Sequence, residues 1–189
     1  MDRREALRKT AMLMGGVVSV PAIMGILNGC VAKPSVNWKP LFFSEDQATL
    51  ISQVSEIIIP KTDTPGAKDV GVPQFIDLML KDVYAAEDQG KFIDGLNAFD
   101  EAVIKEYGDR FIELDDEKQV SFVKKVHDEA QKSDSGWENR SFILKVKELT
   151  LLGFFTSEPG ATQVLQYEPV PGEYKGCIPL SEVGKTWAT

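Results

Sequence analysis

The sequence predicts an all-α protein of about five packed helices, followed by a long irregular segment rich in Pro, Gly and aromatic residues. Three observations lead to this prediction. Apolar residues recur every three or four positions through residues 44–153, as they do on one face of a helix. No stretch alternates apolar and polar residues as a half-buried strand would. From residue 156 onward, four Pro and four Gly interrupt the remaining 34 residues.

The first two predicted helices are separated by a loop. Ser44 and Gln47 have the spacing of a capping box at the start of the first helix, and Pro60 ends it. Residues 61–71 are dense in turn-forming residues, and Pro73 suits the first turn of the second helix. The apolar stripes are Leu50, Val54, Ile57 and Ile58 on the first helix, and Phe75, Ile76, Met79, Leu80 and Val83 on the second.

Three further helices follow. Gly108 stops the third, Asp115 or Asp116 caps the fourth, and the fifth is predicted to begin near Glu138. Their apolar stripes are Phe92, Leu96, Phe99, Val103 and Tyr107; then Val120, Val123 and His127; then Phe142, Val146, Leu149 and Gly153. Residues 44–189 thus form one predicted helical domain, irregular from residue 156.

The N-terminus has the character of an export signal. Arg3 and Arg4 precede a weakly apolar run that carries no charge from Thr10 to Ala32, which resembles a twin-arginine signal. The run closes on a lipobox-like sequence ending at Cys30, the expected site of lipidation. Residues 1–29 are therefore the predicted signal, and residues 30–43 the predicted tether. A permanent membrane anchor remains the alternative, since the run is about long enough to span a bilayer.

The composition argues against several function classes. A net charge of −8 argues against nucleic-acid binding, and one His with two Cys leaves no usual set of zinc or iron ligands. No phosphate-binding glycine motif occurs. We therefore predict no catalytic, cofactor-binding or metal-binding residue in this chain. His127 is interpreted as a packing residue, Cys177 as a buried inert thiol, and Ser157 as an N-cap or turn residue.

The irregular segment is the predicted partner interface. A loop this long is usually functional or disordered, and disordered tails are poor in aromatics. Aromatic residues on a Pro-restricted chain suit packing against another surface, which is either a partner or this domain's own helices. The residues predicted to meet the partner are Tyr167, Pro169, Pro171, Tyr174 and Trp187.

Several blocks of sequence resemble a known family. They are Ile57 to Ala67 (IIIPKTDTPGA), Val72 to Asp77 (VPQFID), Gly153 to Gly160 (GFFTSEPG) and Tyr167 to Cys177 (YEPVPGEYKGC). Together they are similar to the gluconate 2-dehydrogenase subunit 3 family over about residues 44–187.

The resemblance implies a small, non-catalytic, cofactor-free subunit of a periplasmic sugar or sugar-acid dehydrogenase. It implies a large FAD-dependent partner of the glucose–methanol–choline type, which the small subunit stabilises and helps to export. A haem c subunit often completes such complexes. The alternative is a stand-alone exported lipoprotein that binds a small ligand or another envelope protein.

Overall fold

The computed structural model describes residues 35–133, 136, 140–170, 172–173 and 175–188. Within these residues lie five helices of eleven residues or more and no strand, which confirms the all-α prediction. They are α1 (Glu45–Ile58), α2 (Val72–Asp82), α3 (Ala86–Tyr107), α4 (Asp116–Lys132) and α5 (Phe142–Phe155). A 3₁₀ turn (Phe111–Glu113), a π-helical turn (Gly160–Val164) and the short helix α6 (Leu180–Val183) complete the fold.

The predicted ends of the first four helices are confirmed. The Ser44 hydroxyl accepts from the Gln47 N–H while the Gln47 side chain accepts from the Ser44 N–H, so the capping box is formed. Pro73 lies in the first turn of α2, and the Asp115 side chain caps α4. Gly108 ends α3 with φ of 85°, a left-handed conformation that glycine adopts at little cost.

Helix α5 is the centre of the molecule. It begins at Phe142, four residues after Glu138, which lies outside the described residues. It contacts all four other long helices, and its sequence is apolar on nearly every side. Gly153 lets α2 approach closely, because a Cβ there would lie 2.6 Å from the ring of Phe75.

The core-facing stripe of α4 differs from the predicted one. Its buried residues are Gln119, Phe122, Val123 and Ala130, whereas Val120 and His127 are only partly buried. The polar Gln119 is tolerated because its amide donates to the carbonyl oxygens of Phe111 and Leu114. A buried Gln therefore occupies a position that apolar periodicity assigns to the surface.

The segment before α1 packs onto the helices from Val36 onward. Val36, Trp38 and Phe42 are partly buried against the core, and Phe43 is buried. The carboxylate of Asp77 on α2 accepts the backbone N–H groups of Leu41, Phe42 and Phe43 at 2.7, 3.1 and 2.9 Å. The C-terminal half of the predicted tether is thus part of the folded body.

Candidate partner interface

One side of α5 lies at the surface although its residues are apolar. Leu151, Leu152 and Phe155 are 37%, 45% and 36% exposed, whereas Phe154 between them is buried. We call these three exposed residues the outward face of α5. Large apolar side chains grouped in this way on a protein surface mark a contact surface more often than a chance exposure.

A groove of about 740 Å³ runs beside this face. Val83 at the end of α2 and Leu152 on α5 both line it, so the outward face continues into the groove. The apolar lining is bordered by charged residues of both signs, as in the polar rim of a protein interface. The lining residues are Met79, Val83, Tyr84, Ala85, Asp88, Lys91, Arg140, Lys145, Glu148, Leu149 and Leu152.

Tyr84 lines this groove, and its surroundings shift the pKa of its side chain. Burial raises the pKa of its phenol above the usual value, and the nearby charges of Glu148 and Asp88 raise it further. The phenol therefore stays neutral and keeps its O–H donor at the groove wall.

The C-terminal segment starts where the outward face ends. Ser157 makes the turn: its hydroxyl donates to the carbonyl oxygen of Phe154 at 2.6 Å and accepts the Gly160 N–H at 3.2 Å. The predicted turn role of Ser157 is thus confirmed. Gly160 is buried against the end of α5, where a Cβ would overlap the carbonyl oxygen of Phe154.

The segment then forms a loop that closes on itself. Gln166 and Trp187 form an isolated parallel β-bridge, with Gln166 N donating to Thr186 O and Ala188 N to Gln166 O, both at 2.8 Å. The Lys185 ammonium also donates to the carbonyl oxygen of Gln163 at 3.2 Å. Residues 167–186 are therefore held at their base, next to the end of α5.

The predicted interface residues that the structure describes lie on this loop and are exposed. Tyr167 is 55% and Trp187 47% exposed, and Pro169 is exposed as well. Pro171 and Tyr174 lie outside the described residues, as do Arg3, Arg4 and Cys30 of the predicted signal. Roughly half of each described aromatic side chain is therefore left uncovered by this chain.

Cys177 is a correction to the sequence prediction. Its thiol is exposed rather than buried, because it lies in a stretch whose described residues, 175–182, are all exposed. The groove residues, in turn, were missed by sequence reasoning. The available signal was the composition of α5, which has more apolar residues than a single core-facing stripe requires.

The loop of residues 61–68 is organised by one carboxylate. Glu56 accepts the backbone N–H groups of Lys61 and Lys68 at 3.0 and 2.9 Å, and Lys61 pairs with Asp69 at 3.0 Å. Within the loop the Thr62 N–H donates to the carbonyl oxygen of Thr64 at 3.0 Å, so the turn-rich segment predicted for residues 61–71 is observed, with Glu56 of α1 as an additional partner.

The described residues form neither a metal-binding cluster nor a membrane-spanning helix. No group of three or more His, Cys, Asp or Glu side chains in this part of the chain is placed to hold a metal ion. Of the helices that the structure describes, none is at once long enough and apolar enough to cross a membrane.

Comparison with known proteins identifies the family. Residues 45–172 match the family described as gluconate 2-dehydrogenase subunit 3, and this match includes the outward face of α5, the groove and Tyr167. No curated protein and no solved structure matches the chain. Since the match covers well over half of the 189 residues, the chain belongs to the gluconate 2-dehydrogenase subunit 3 family.

Proposed function

We propose that this chain is the non-catalytic small subunit of a periplasmic, membrane-associated, flavin-dependent sugar or sugar-acid dehydrogenase. The family name describes a subunit of a multi-subunit gluconate 2-dehydrogenase. The proposed partner is a large FAD-containing subunit of the glucose–methanol–choline type, and a cytochrome c subunit is the proposed third component. This chain stabilises the large subunit and exports it on its own signal.

The uncovered apolar surface carries this proposal. Exposed apolar and aromatic side chains lie on the outward face of α5, in the groove beside it and on the closed C-terminal loop. The protein that carries them is otherwise acidic. Aromatic residues are common anchors of interfaces, because they bury a large area at a small cost in conformational entropy. The bridge between Gln166 and Trp187 restricts the loop before binding, so less entropy remains to be lost on docking.

Stabilisation of the large subunit follows from binding alone. A subunit that binds only the folded form of its partner lowers the partner's unfolded fraction in proportion to its own free concentration. No catalytic group is required for this role.

The proposed location depends on the N-terminal sequence. Arg3 and Arg4 would direct folded export, and lipid on Cys30 would hold the mature subunit at the membrane. Mass spectrometry of the protein from its native envelope decides the second point. Retention of residues 1–29, or an unmodified Cys30, would contradict lipidation.

Co-purification from the native envelope tests the complex. We expect the tagged chain to retain a large flavoprotein that oxidises a sugar or sugar acid, and Leu152→Glu to reduce that retention by placing a charge on the outward face. Ile104→Glu is the matched control, since Ile104 on α3 is 43% exposed against 45% for Leu152. Tyr167→Ala and Trp187→Ala test the C-terminal loop in the same preparation.

Three results would argue against the proposal. Recovery of the chain without any flavoprotein would favour the stand-alone lipoprotein instead. Equal retention by the Leu152 and Ile104 variants would remove the outward face from the interface. A lower melting temperature of the isolated Leu152 variant would show that folding, rather than docking, was disturbed.

A further inference from the structure

A smaller pocket lies where α1, α4 and α5 meet, on a different side of α5 from the groove. It has a volume of about 210 Å³. On α5 it is lined by Ile143 and Lys147, whereas the groove is lined by Lys145, Leu149 and Leu152. The apolar residues that line the pocket are Ile57, Ile58, Val120, Val123 and Ile143, and its polar residues are Lys124, His127 and Lys147.

The contact between Lys147 and His127 defines the polar side of the pocket. The Lys147 ammonium lies 2.8 Å from Nε2 of His127. An ammonium only donates, so Nε2 must accept and the imidazole proton belongs on Nδ1. Nδ1 in turn lies 3.4 Å from the carboxylate of Asp128. In this arrangement Nε2 of His127 accepts one N–H of Lys147, and the ammonium keeps two further N–H donors.

Neither lysine of the pocket is neutralised by a described residue. Among the residues that the structure describes, no carboxylate forms an ion pair with Lys124 or Lys147. Lys147 is also partly buried, where a charge without a partner is less favourable than in water. Both lysines line the pocket, so their ammonium groups are available to an anion that enters it.

We propose that this pocket binds a carboxylate attached to a short apolar group. The carboxylate would accept from the ammonium groups of Lys147 and Lys124, and the apolar group would lie against Ile57, Ile58 and Val120. The volume is smaller than that of pockets for drug-sized ligands, which favours a short-chain monocarboxylate or a single acidic side chain with its apolar neighbour. Both sources present the same chemistry.

His127 supplies a direct probe of occupancy, because the chain has a single His. Titration of the isotope-labelled full-length subunit with hexanoate should move the imidazole signals of His127 in a saturable way. Hexan-1-ol lacks the charge and acetate lacks the apolar chain, so each should bind at least about tenfold more weakly. Calorimetry gives the same comparison without relying on His127.

Two lysine variants supply the matched comparison. Lys147→Met keeps most of the aliphatic stem and removes the charge, so hexanoate binding should weaken at least about tenfold. Lys145→Met makes the same change two residues away in the groove and should bind as the wild type does. Lys124→Met alters an exposed residue at little risk to folding and should weaken binding in the same direction as Lys147→Met.

The results distinguish a failed inference from each of the two possible sources of the carboxylate. No saturable shift with hexanoate, equal binding of hexanoate and hexan-1-ol, or wild-type binding by both pocket variants would overturn the inference. If the assembled complex still takes up hexanoate, the ligand is a free acid. If the complex excludes hexanoate and already shows the shifted His127 signals, a partner supplies the carboxylate. Because hexanoate binding itself is measured on the subunit alone, failure of the proposed complex would leave that measurement unaffected and remove only the comparison of the two ligand sources.

Discussion

Asp77 is the residue whose replacement should affect folding most directly. Its buried carboxylate is the shared acceptor for three consecutive backbone N–H groups, those of Leu41, Phe42 and Phe43. Asp77→Ala leaves these donors without a partner, and we expect the free energy of unfolding to fall by about 3 kcal/mol or more. Denaturant unfolding followed by Trp fluorescence measures the change.

An amide at the same position gives a graded comparison. In Asp77→Asn one oxygen still accepts from Phe42 and Phe43, while the amide N–H₂ faces the N–H of Leu41, so a loss of about 1–2 kcal/mol is expected. Asp82→Asn, at an exposed position of the same helix, is the control. Equal stability of the Asp77 and Asp82 variants would show that the segment before α1 is not held by this carboxylate.

Tyr84 predicts a dependence of stability on alkaline pH. Because burial raises its pKa in the folded state, the folded protein holds the phenolic proton more tightly than the unfolded chain does. The resulting stabilisation is complete below the unfolded pKa of about 10 and is lost as the pH rises through the higher folded value. We expect Tyr84→Phe to flatten the alkaline decline in stability, measured by denaturant unfolding across that range. An identical decline in both proteins would contradict this assignment.

Side-chain roles set by local sequence could be predicted, and those set by distant contacts could not. The Ser44 capping box and the Gly108 stop depend on neighbours within a few positions, and both are observed. The burial of Gln119 depends on carbonyl groups of the preceding 3₁₀ turn and its end. The exposure of Cys177 depends on how a loop of some twenty residues closes. Neither the burial of Gln119 nor the exposure of Cys177 can be predicted from the pattern of the adjacent residues.

At the scale of elements, Gly160 connects the helices to the C-terminal loop. A methyl group at this position would overlap the carbonyl oxygen of Phe154, a backbone atom that cannot move aside easily. We expect Gly160→Ala to cost about 1–3 kcal/mol and to loosen the π-helical turn. Limited proteolysis should then cut residues 165–188 faster than in the wild type.

Gly172→Ala is the control for this prediction. Nothing lies within 4 Å of a Cβ at Gly172, so the same chemical change should leave proteolysis and stability nearly unaltered. Equal protection of the two variants would mean that the loop is not anchored through the turn at Gly160.

The apolar periodicity of helix α5 does not define its ends or its exposed side. Helices α1 to α4 carry polar residues on one side, so their predicted ends agree with the structure, although the core-facing stripe of α4 differs through the burial of Gln119. Helix α5 packs against the four other long helices and is apolar even on its exposed outward face, so its apolar pattern does not mark where it begins. The same excess of apolar residues conceals which of them face outward, and so the proposed interface groove was not predicted.

At the scale of the whole molecule, the remaining prediction concerns export. Replacement of both Arg3 and Arg4 by Lys keeps the charge of the signal but removes the arginine pair. We expect this double variant to accumulate in the cytoplasm, together with any large subunit that depends on it. Cell fractionation with antibodies to both subunits measures this, and normal export of the variant would exclude the twin-arginine route.

The closed C-terminal loop also has a practical consequence for protein engineering. The backbone N–H of Ala188 is bonded to Gln166, so the last described residues lie beside the segment that follows α5. An affinity tag or fluorescent protein fused after residue 189 would begin beside the surface proposed to receive the large subunit. A bulky C-terminal fusion should therefore hinder assembly by steric exclusion, whereas a peptide tag of a few residues should be tolerated.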